Sequence, residues 1–286
     1  MMNGEKVLYI SDLDGTLLNS NKEISKYTRD TINTVIAKGG YFSAATARTA
    51  ASTLKILSGV NIKIPVVLMN GVVIYDIQKD KYIKVEAVSG QTANAIIDVL
   101  REHDIAGFMY AISGGGLVTY YENLNTPALK DFHNERAMKY YKSFEQVDCF
   151  SDKTSCGRVI YFTLMDEYER LSEVYSSFKT LADIDMVLYR DIYSENLWYL
   201  EVFSENASKY NAVKYIREYC GFDRIIGFGD NFNDIPLFKA CDEFYAVSNA
   251  VPQLKKKATE IIGDNNSDGV ARFIADREGL FQENGF

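Results

Sequence analysis

Short apolar runs alternate with helix-like patterns at both ends of this 286-residue chain, and two of the runs stop at carboxylates. Val7–Ile10 reads as a buried strand, being a short uninterrupted apolar run bounded by a turn signal. It leads through Ser11 into Asp12-Leu13-Asp14-Gly15-Thr16. Arg224–Phe228 is a second strand of the same kind and leads into Gly229-Asp230-Asn231-Phe232-Asn233-Asp234. Around them, Ser25–Lys38 reads as a helix, with Ile32, Val35 and Ile36 on one face and Gly39-Gly40 as its stop. Tyr41–Ala45 and Pro65–Met69 read as strands, with a short helix over Thr49–Leu57 between them. Near the other end come a helix over Tyr210–Tyr219, a short helix over Asp234–Ala240, and strands over Phe244–Val247 and Glu260–Ile262. Such alternation is satisfied by parallel strands joined through crossover helices.

The middle of the chain does not follow that rhythm. Gly107–Ile112 and Leu117–Glu122 flank Ser113-Gly114-Gly115-Gly116 and read as a hairpin. Gly157–Met165, Met186–Tyr189 and Leu197–Phe203 read as further strands, and Gln91–His103, Ala128–Tyr141 and Glu167–Leu181 as helices. This is an α+β pattern inserted into an α/β one. The length prior of about two domains agrees with it. The expected division is a core of residues 1–84 and 204–286 interrupted by a second domain of residues 85–203.

The chemistry concentrates at the strand ends. In open α/β sheets ligands bind beyond the carboxyl ends of the strands. Two carboxylates held there repel each other unless a cation or a shared proton relieves them. A hard, oxygen-seeking ion such as Mg²⁺ answers that need. One aspartate can then serve as a nucleophile toward phosphorus and the other as a general acid/base. The bland alternative is an acidic turn with Gly15 at positive φ. The second acidic strand end has its own alternative, an Asx-rich turn capping the next helix. If the two strands are neighbours, Asp230 completes an oxygen shell with Asp12. Thr46 follows a strand and precedes a helix, where a hydroxyl and the next amide suit a phosphate oxygen, or the threonine simply caps the helix. Lys209 gains meaning only by position: a phosphoryl site needs a cation to balance the dianion, whereas a lone lysine at a helix start is ordinarily solvated.

Composition narrows the field further. A net charge of −8 and a pI of about 5.0 disfavour nucleic acid or an anionic membrane as partner. The four cysteines form no Cys-x-x-Cys pair and are expected as buried thiols. With only His103 and His133, a histidine triad or histidine-rich metal site is not expected. No signal peptide and no bilayer-spanning apolar segment is read, so a soluble, cytoplasmic protein is expected.

With these pieces in this order, the chain resembles the haloacid dehalogenase superfamily and, within it, the Cof-type phosphatases with a large inserted α/β cap. Asp12 to Leu18 fits the first motif, Ala45-Thr46-Ala47-Arg48 the second, Lys209 the third and Gly229 to Asp234 the fourth. Met69-Asn70-Gly71, Ser248-Asn249-Ala250 and Ser267-Asp268-Gly269-Val270-Ala271 fit further family segments. Ala47 stands where the second motif often has glycine, and Tyr210 where glycine often follows the lysine; neither removes a reacting group. The resemblance implies a Rossmann-like parallel-sheet core with an inserted α+β cap that sets specificity. It implies Asp12 as nucleophile and Asp14 as acid/base. It also implies Mg²⁺ held by the Asp12 carboxylate, the Asp14 carbonyl and Asp230, with Asp234 acting through water. Phosphoryl oxygens would be bound by Thr46, Lys209, Asn233 and the amides of Leu13 and Ala47. The implied activity is hydrolysis of a small phosphomonoester, a sugar phosphate or related metabolite. Phosphotransfer or mutase chemistry on the same scaffold, or a non-catalytic metabolite sensor, are the alternatives. Oligomeric state is left open. Aromatic doublets of the cap, Tyr120-Tyr121, Tyr140-Tyr141 and Trp198-Tyr199, are specificity elements or core.

Overall fold

β1 (Val7–Ser11) is buried along nearly its whole length, as its unbroken apolar run requires. In the computed structural model, which describes residues 5–140, 143–191, 194 and 196–280, it is a central strand of a parallel sheet. α1 (Lys26–Ala37) follows, its first turn capped by the Ser25 side chain accepting from the Thr28 amide. β2 (Tyr41–Ala44) returns beside β1 with Ser11 opposite Ala44, and α2 (Ala50–Ile56) follows it. β3 (Val66–Leu68) lies beside the end of β2, joined by the parallel Ala45–Val67 bridge and by the Thr46 amide on the Val67 carbonyl at 2.9 Å. It then pairs antiparallel with β4 (Val73–Asp76) in a three-stranded sheet completed by β5 (Lys81–Val85); the sequence patterns mark neither β4 nor β5 as a strand. The turn between β3 and β4 runs through Met69, Asn70 and Gly71, all at positive φ. Gly71 is required there, because a Cβ would lie 2.2 Å from the Ser208 carbonyl oxygen.

The chain divides into two compact units, Met1–Lys84 with Ser208–Phe286, and Val85–Ala207. The second unit contains α3 (Gly90–Glu102), β6 (Gly107–Ser113), β7 (Gly116–Tyr121), α4 (Pro127–Tyr140), β8 (Phe144–Gln146), β9 (Arg158–Asp166), α5 (Tyr168–Phe178), β10 (Ile184–Arg190) and β11 (Trp198–Ser204). Its six strands run in the order β10-β11-β9-β6-β7-β8, antiparallel except for β7 beside β8. Ile96, Ile97 and Leu100 of α3 and Leu171, Val174 and Phe178 of α5 pack with Met109, Phe162, Leu164, Leu200 and Val202 of the sheet. Because strand side chains alternate between faces, the two doublets that lie on strands, Tyr120-Tyr121 and Trp198-Tyr199, are split. Tyr120 and Trp198 join this core, whereas Tyr121 lies against His133 and Tyr199 stacks on Tyr189. Tyr141 lies outside the described residues. The thiol expectation is corrected: Cys156 is exposed in the turn before β9, and Cys149, Cys220 and Cys241 are half-buried.

The first unit resumes with α6 (Lys209–Cys220), β12 (Arg224–Gly229), α7 (Ile235–Ala240), β13 (Glu243–Val247), α8 (Pro252–Lys255), β14 (Glu260–Ile262) and α9 (Gly269–Arg277). The Ser208 side chain caps α6, and Gly221 ends it in the left-handed conformation. Strand order in the parallel sheet is β14-β13-β12-β1-β2. The chain winds outward in one direction from β1 and in the other from β12, so these neighbours flank the topological switch point. Leu8, Ile10, Ile225, Ile226, Phe228, Ala246 and Val247 are wholly buried. α1 packs with α9, and α6 with α7.

Candidate active site

β1 and β12 are in register, Ser11 opposite Phe228, and the Asp12 amide donates to the Phe228 carbonyl at 3.0 Å. The two acidic strand ends therefore emerge side by side although more than two hundred residues separate them. Beyond Asp12 the backbone makes a kinked turn over Leu13–Leu17, closed by the Leu18 amide on the Leu13 carbonyl at 2.9 Å. Gly15 has φ 76°, and a Cβ there would lie 2.5 Å from Asp230 Oδ2, so both conformation and close approach demand glycine. Thr16 Oγ1 donates to Asp230 Oδ1 at 2.9 Å, which ties the first turn to the second loop.

Carboxylate oxygens of Asp12, Asp230 and Asp234 lie within 4.8 Å of one another. Lys209 Nζ reaches between two of them, 2.6 Å from Asp12 Oδ1 and 2.7 Å from Asp234 Oδ1. The lysine side chain is 0% exposed, as is that of Asp234, and that of Asp12 only 6%. A lysine at the first position of a helix is thus fully buried because two acids from distant strand ends face it. The other oxygen of Asp234 accepts from the Asp230 and Asn231 amides at 3.0 and 3.1 Å, so this residue is spent on holding Lys209 and the loop.

Three carboxylates against one ammonium leave local negative charge uncompensated. Burial pushes the Asp12 carboxyl above the usual carboxylate range, opposed by Lys209, whose ammonium the two acids keep charged. Asp230 is pushed up to about 6, first by desolvation and then by Asp234 and Asp14, against the Thr16 hydrogen bond and the Lys209 charge. A hard divalent cation relieves this arrangement, and the all-oxygen donor set suits one. Among the described residues, this is the one cluster of metal-ligating side chains found.

Asp14 is turned elsewhere. Its carboxylate is 44% exposed and takes a bidentate pair from Arg48, Nε to Oδ2 at 2.6 Å and Nη2 to Oδ1 at 2.5 Å. Arg48 was quoted in the second motif without a role; its pairing could have been suspected only from a cation two residues beyond Thr46. Thr46 is buried and does not cap α2, whose N-cap is Thr49. Its amide donates to Val67, its carbonyl accepts from Asn70, and its hydroxyl accepts from the Arg48 amide at 3.2 Å. Ala47 is exposed beside it. Asn233 is exposed, with Nδ2 3.4 Å from Asn70 Oδ1, so Asn70 joins the site's edge without having been singled out. Leu13 has its side chain wholly buried beneath the turn.

Fold and site together define an α/β enzyme whose carboxylates, lysine and hydroxyls converge at the switch point of a parallel sheet. The chain belongs to the haloacid dehalogenase-like hydrolases, whose family model matches residues 9–274, and it is an enzyme of their phosphatase class. It is 24% identical over 290 residues to the 5-amino-6-(5-phospho-D-ribitylamino)uracil phosphatase of Bacillus subtilis (strain 168), covering 96% of this chain and 98% of that one. It is 22% identical over 275 residues to the pyridoxal phosphate phosphatase of Escherichia coli (strain K12), covering 92% and 95%. A solved haloacid dehalogenase-like hydrolase from Bacteroides thetaiotaomicron superposes with a TM-score of 0.77 at 21% identity, covering 97% of this chain and 100% of that one. Among the described residues no helix is long and apolar enough to cross a membrane.

Proposed function

We propose that the chain is a Mg²⁺-dependent phosphatase that hydrolyses a small phosphomonoester through a phosphoryl group carried on Asp12. The observation that carries this reading is the buried Asp12–Lys209–Asp234 triad beside Asp230, which presents an oriented carboxylate oxygen next to a cation-demanding cluster. Asp12 attacks phosphorus, and the bond to the leaving oxygen breaks as Asp14 supplies its proton. Asp14 then takes a proton from water as that water attacks phosphorus, and the Asp12–phosphorus bond breaks. The Asp12 and Asp230 carboxylates and the Asp14 carbonyl would hold Mg²⁺, with Asp234 supporting through water. The bound ion shields the phosphoryl charge from these acids. Lys209, Thr46, Asn233 and the Leu13 and Ala47 amides take the phosphoryl oxygens.

Arg48 fits this scheme as the group that orients the Asp14 carboxyl, through paired hydrogen bonds to both of its oxygens. Asp14→Asn is expected to lower turnover by at least ~10²-fold for substrates with alcohol leaving groups. The loss should shrink in formation of the phosphoenzyme from a nitrophenyl ester, which leaves unaided. Stopped-flow comparison of the two substrates checks this; equal losses contradict the acid role.

The raised Asp230 carboxyl gives the metal dependence a definite sign. A carboxylate must lose its proton to hold the ion, so protons compete as pH falls through about 6. The Mg²⁺ concentration for half-maximal activity is expected to climb below that pH and to level off well above it. Mg²⁺ titrations at about pH 5 and about pH 8 measure it; an unchanged requirement contradicts the assignment.

The relatives named above act on small phosphorylated metabolites, which supports a sugar phosphate or related metabolite here. Residues 1–84 and 204–286 would carry the chemistry and the cap, 85–203, the choice of substrate. The absence of disulfides among the four cysteines suits a reducing, cytoplasmic setting. Phosphate release across a panel of phosphorylated metabolites tests the reading. Hydrolysis of one small class supports it, and no release from any member, with Mg²⁺ present, overturns it.

A further inference from the structure

The segment that follows β13 grips both acidic loops from behind. Asn249 Nδ2 donates to the Gly15 carbonyl at 2.7 Å, and its Oδ1 accepts from the Asn265 amide at 3.1 Å. Asn265 Nδ2 in turn donates to the Leu18 carbonyl at 2.8 Å, and the Val251 amide donates to the Asp230 carbonyl at 2.8 Å. Four hydrogen bonds thus fix the turn after Asp12 at both its middle and its end, and fix the Asp230 loop to the same segment. Asn249 bridges a carbonyl on one side and an N–H on the other, which only a primary amide of this length does.

What is fixed is the most adaptable peptide of the site. Gly15 has no Cβ to restrict its ψ, so the Gly15–Thr16 peptide plane is held chiefly by what its carbonyl oxygen bonds to. Turning it would rotate the backbone at Thr16 and break the Thr16–Asp230 bond, and would disturb Gly15, the residue next to Asp14. We propose that Asn249, seconded by Asn265, is a positioning residue that locks the Gly15 peptide and thereby holds Asp14 and Asp230 in working geometry. This rests on the phosphatase reading of the same site. It gives a role to the Ser248-Asn249-Ala250 segment, which that reading leaves idle. Asn249 is itself exposed, so its loss should cost the fold little; Asn265 is buried and its loss would leave the Leu18 carbonyl unpaired.

The test compares wild type, Asn249→Ala, Asn249→Asp and, as a control, Ser248→Ala at the exposed neighbouring position. Asn249→Asp keeps the acceptor for the Asn265 amide and loses the donor to Gly15, which isolates the bond in question. Hydrolysis of p-nitrophenyl phosphate, Mg²⁺ requirement, thermal midpoint and hydrogen exchange of residues 13–18 in the metal-free protein are read together. Both Asn249 variants should lose activity and Mg²⁺ affinity by ~10- to 100-fold, the range for partners that orient metal ligands. Their 13–18 amides should exchange faster while Tm barely moves, and Ser248→Ala should match wild type. Unchanged exchange and unchanged Mg²⁺ requirement overturn the proposal. So does a loss of activity that merely tracks a fall in Tm. A wild-type chain that exchanges slowly over 13–18 yet hydrolyses nothing overturns the phosphatase reading, and with it the positioning of a catalytic site by Asn249.

Discussion

Asp12→Asn is expected to abolish turnover and leave the fold intact. An amide of the same shape cannot form a bond to phosphorus, so the loss is that of the nucleophile itself. The fold should survive for an electrostatic reason as well as a steric one. Two buried acids share one lysine, and the substitution leaves Lys209 and Asp234 as a balanced pair, with the asparagine oxygen still able to accept from Nζ. Lys209→Ala is the poorer experiment, because it strands two buried carboxylates and would unfold the chain for reasons unconnected with catalysis. Phosphate release and Tm of Asp12→Asn are the measurements; activity above a trace, in a properly folded variant, contradicts the nucleophile assignment.

Chelation is the second large effect. Thorough removal of divalent cations should silence the enzyme, and added Mg²⁺ should restore it, because Asp12 and Asp230 cannot meet a phosphate dianion unshielded. Ca²⁺ should substitute poorly, its larger and looser oxygen shell spoiling an in-line geometry. Asp230→Ala sharpens the point. It should raise the Mg²⁺ requirement at least ~10-fold, as loss of a ligand or its partner does. The metal-free variant should nevertheless be no less stable than wild type, since the Asp230 carboxylate is disfavoured where it sits by burial and by Asp234. Activity indifferent to chelation removes the metal from the mechanism, and a destabilised metal-free Asp230→Ala contradicts the electrostatic account.

The two acidic strand ends were legible in the sequence because each is local: an apolar run, then carboxylates and a glycine. Their meeting was legible only as a condition, that the strands be neighbours, and the β1–β12 pairing satisfies it. The pairs that complete the site were not legible, since they span the chain. Arg48 reaches Asp14 across 34 residues and Asn249 reaches Gly15 across 234, and no local pattern announces either. The sequence around Lys209 does not separate a site lysine from a solvated helix start for the same reason; the acids that face it follow other strands. The β3–β4 pair is a different case. Asn70-Gly71 between apolar runs is a hairpin signal in itself, and it turns β3 back onto β4, whereas the apolar run Pro65–Met69 alone reads as one more strand of the parallel series. For Thr46 the structure removes the alternative of a helix cap: its backbone is bonded to Val67 and Asn70, and α2 begins at Ala50 behind the N-cap Thr49, where the sequence places it.

The most direct measurement of the central claim is where the phosphoryl group goes. Wild type and Asp12→Asn are mixed with a hydrolysed substrate and Mg²⁺, quenched in acid within the first turnover, digested and examined by mass spectrometry. The account predicts a phosphorylated peptide spanning Asp12 in wild type, with the modification on Asp12 itself, and none in the variant. A phosphoryl group on any other residue, or first-turnover hydrolysis by Asp12→Asn at the wild-type rate, would contradict it.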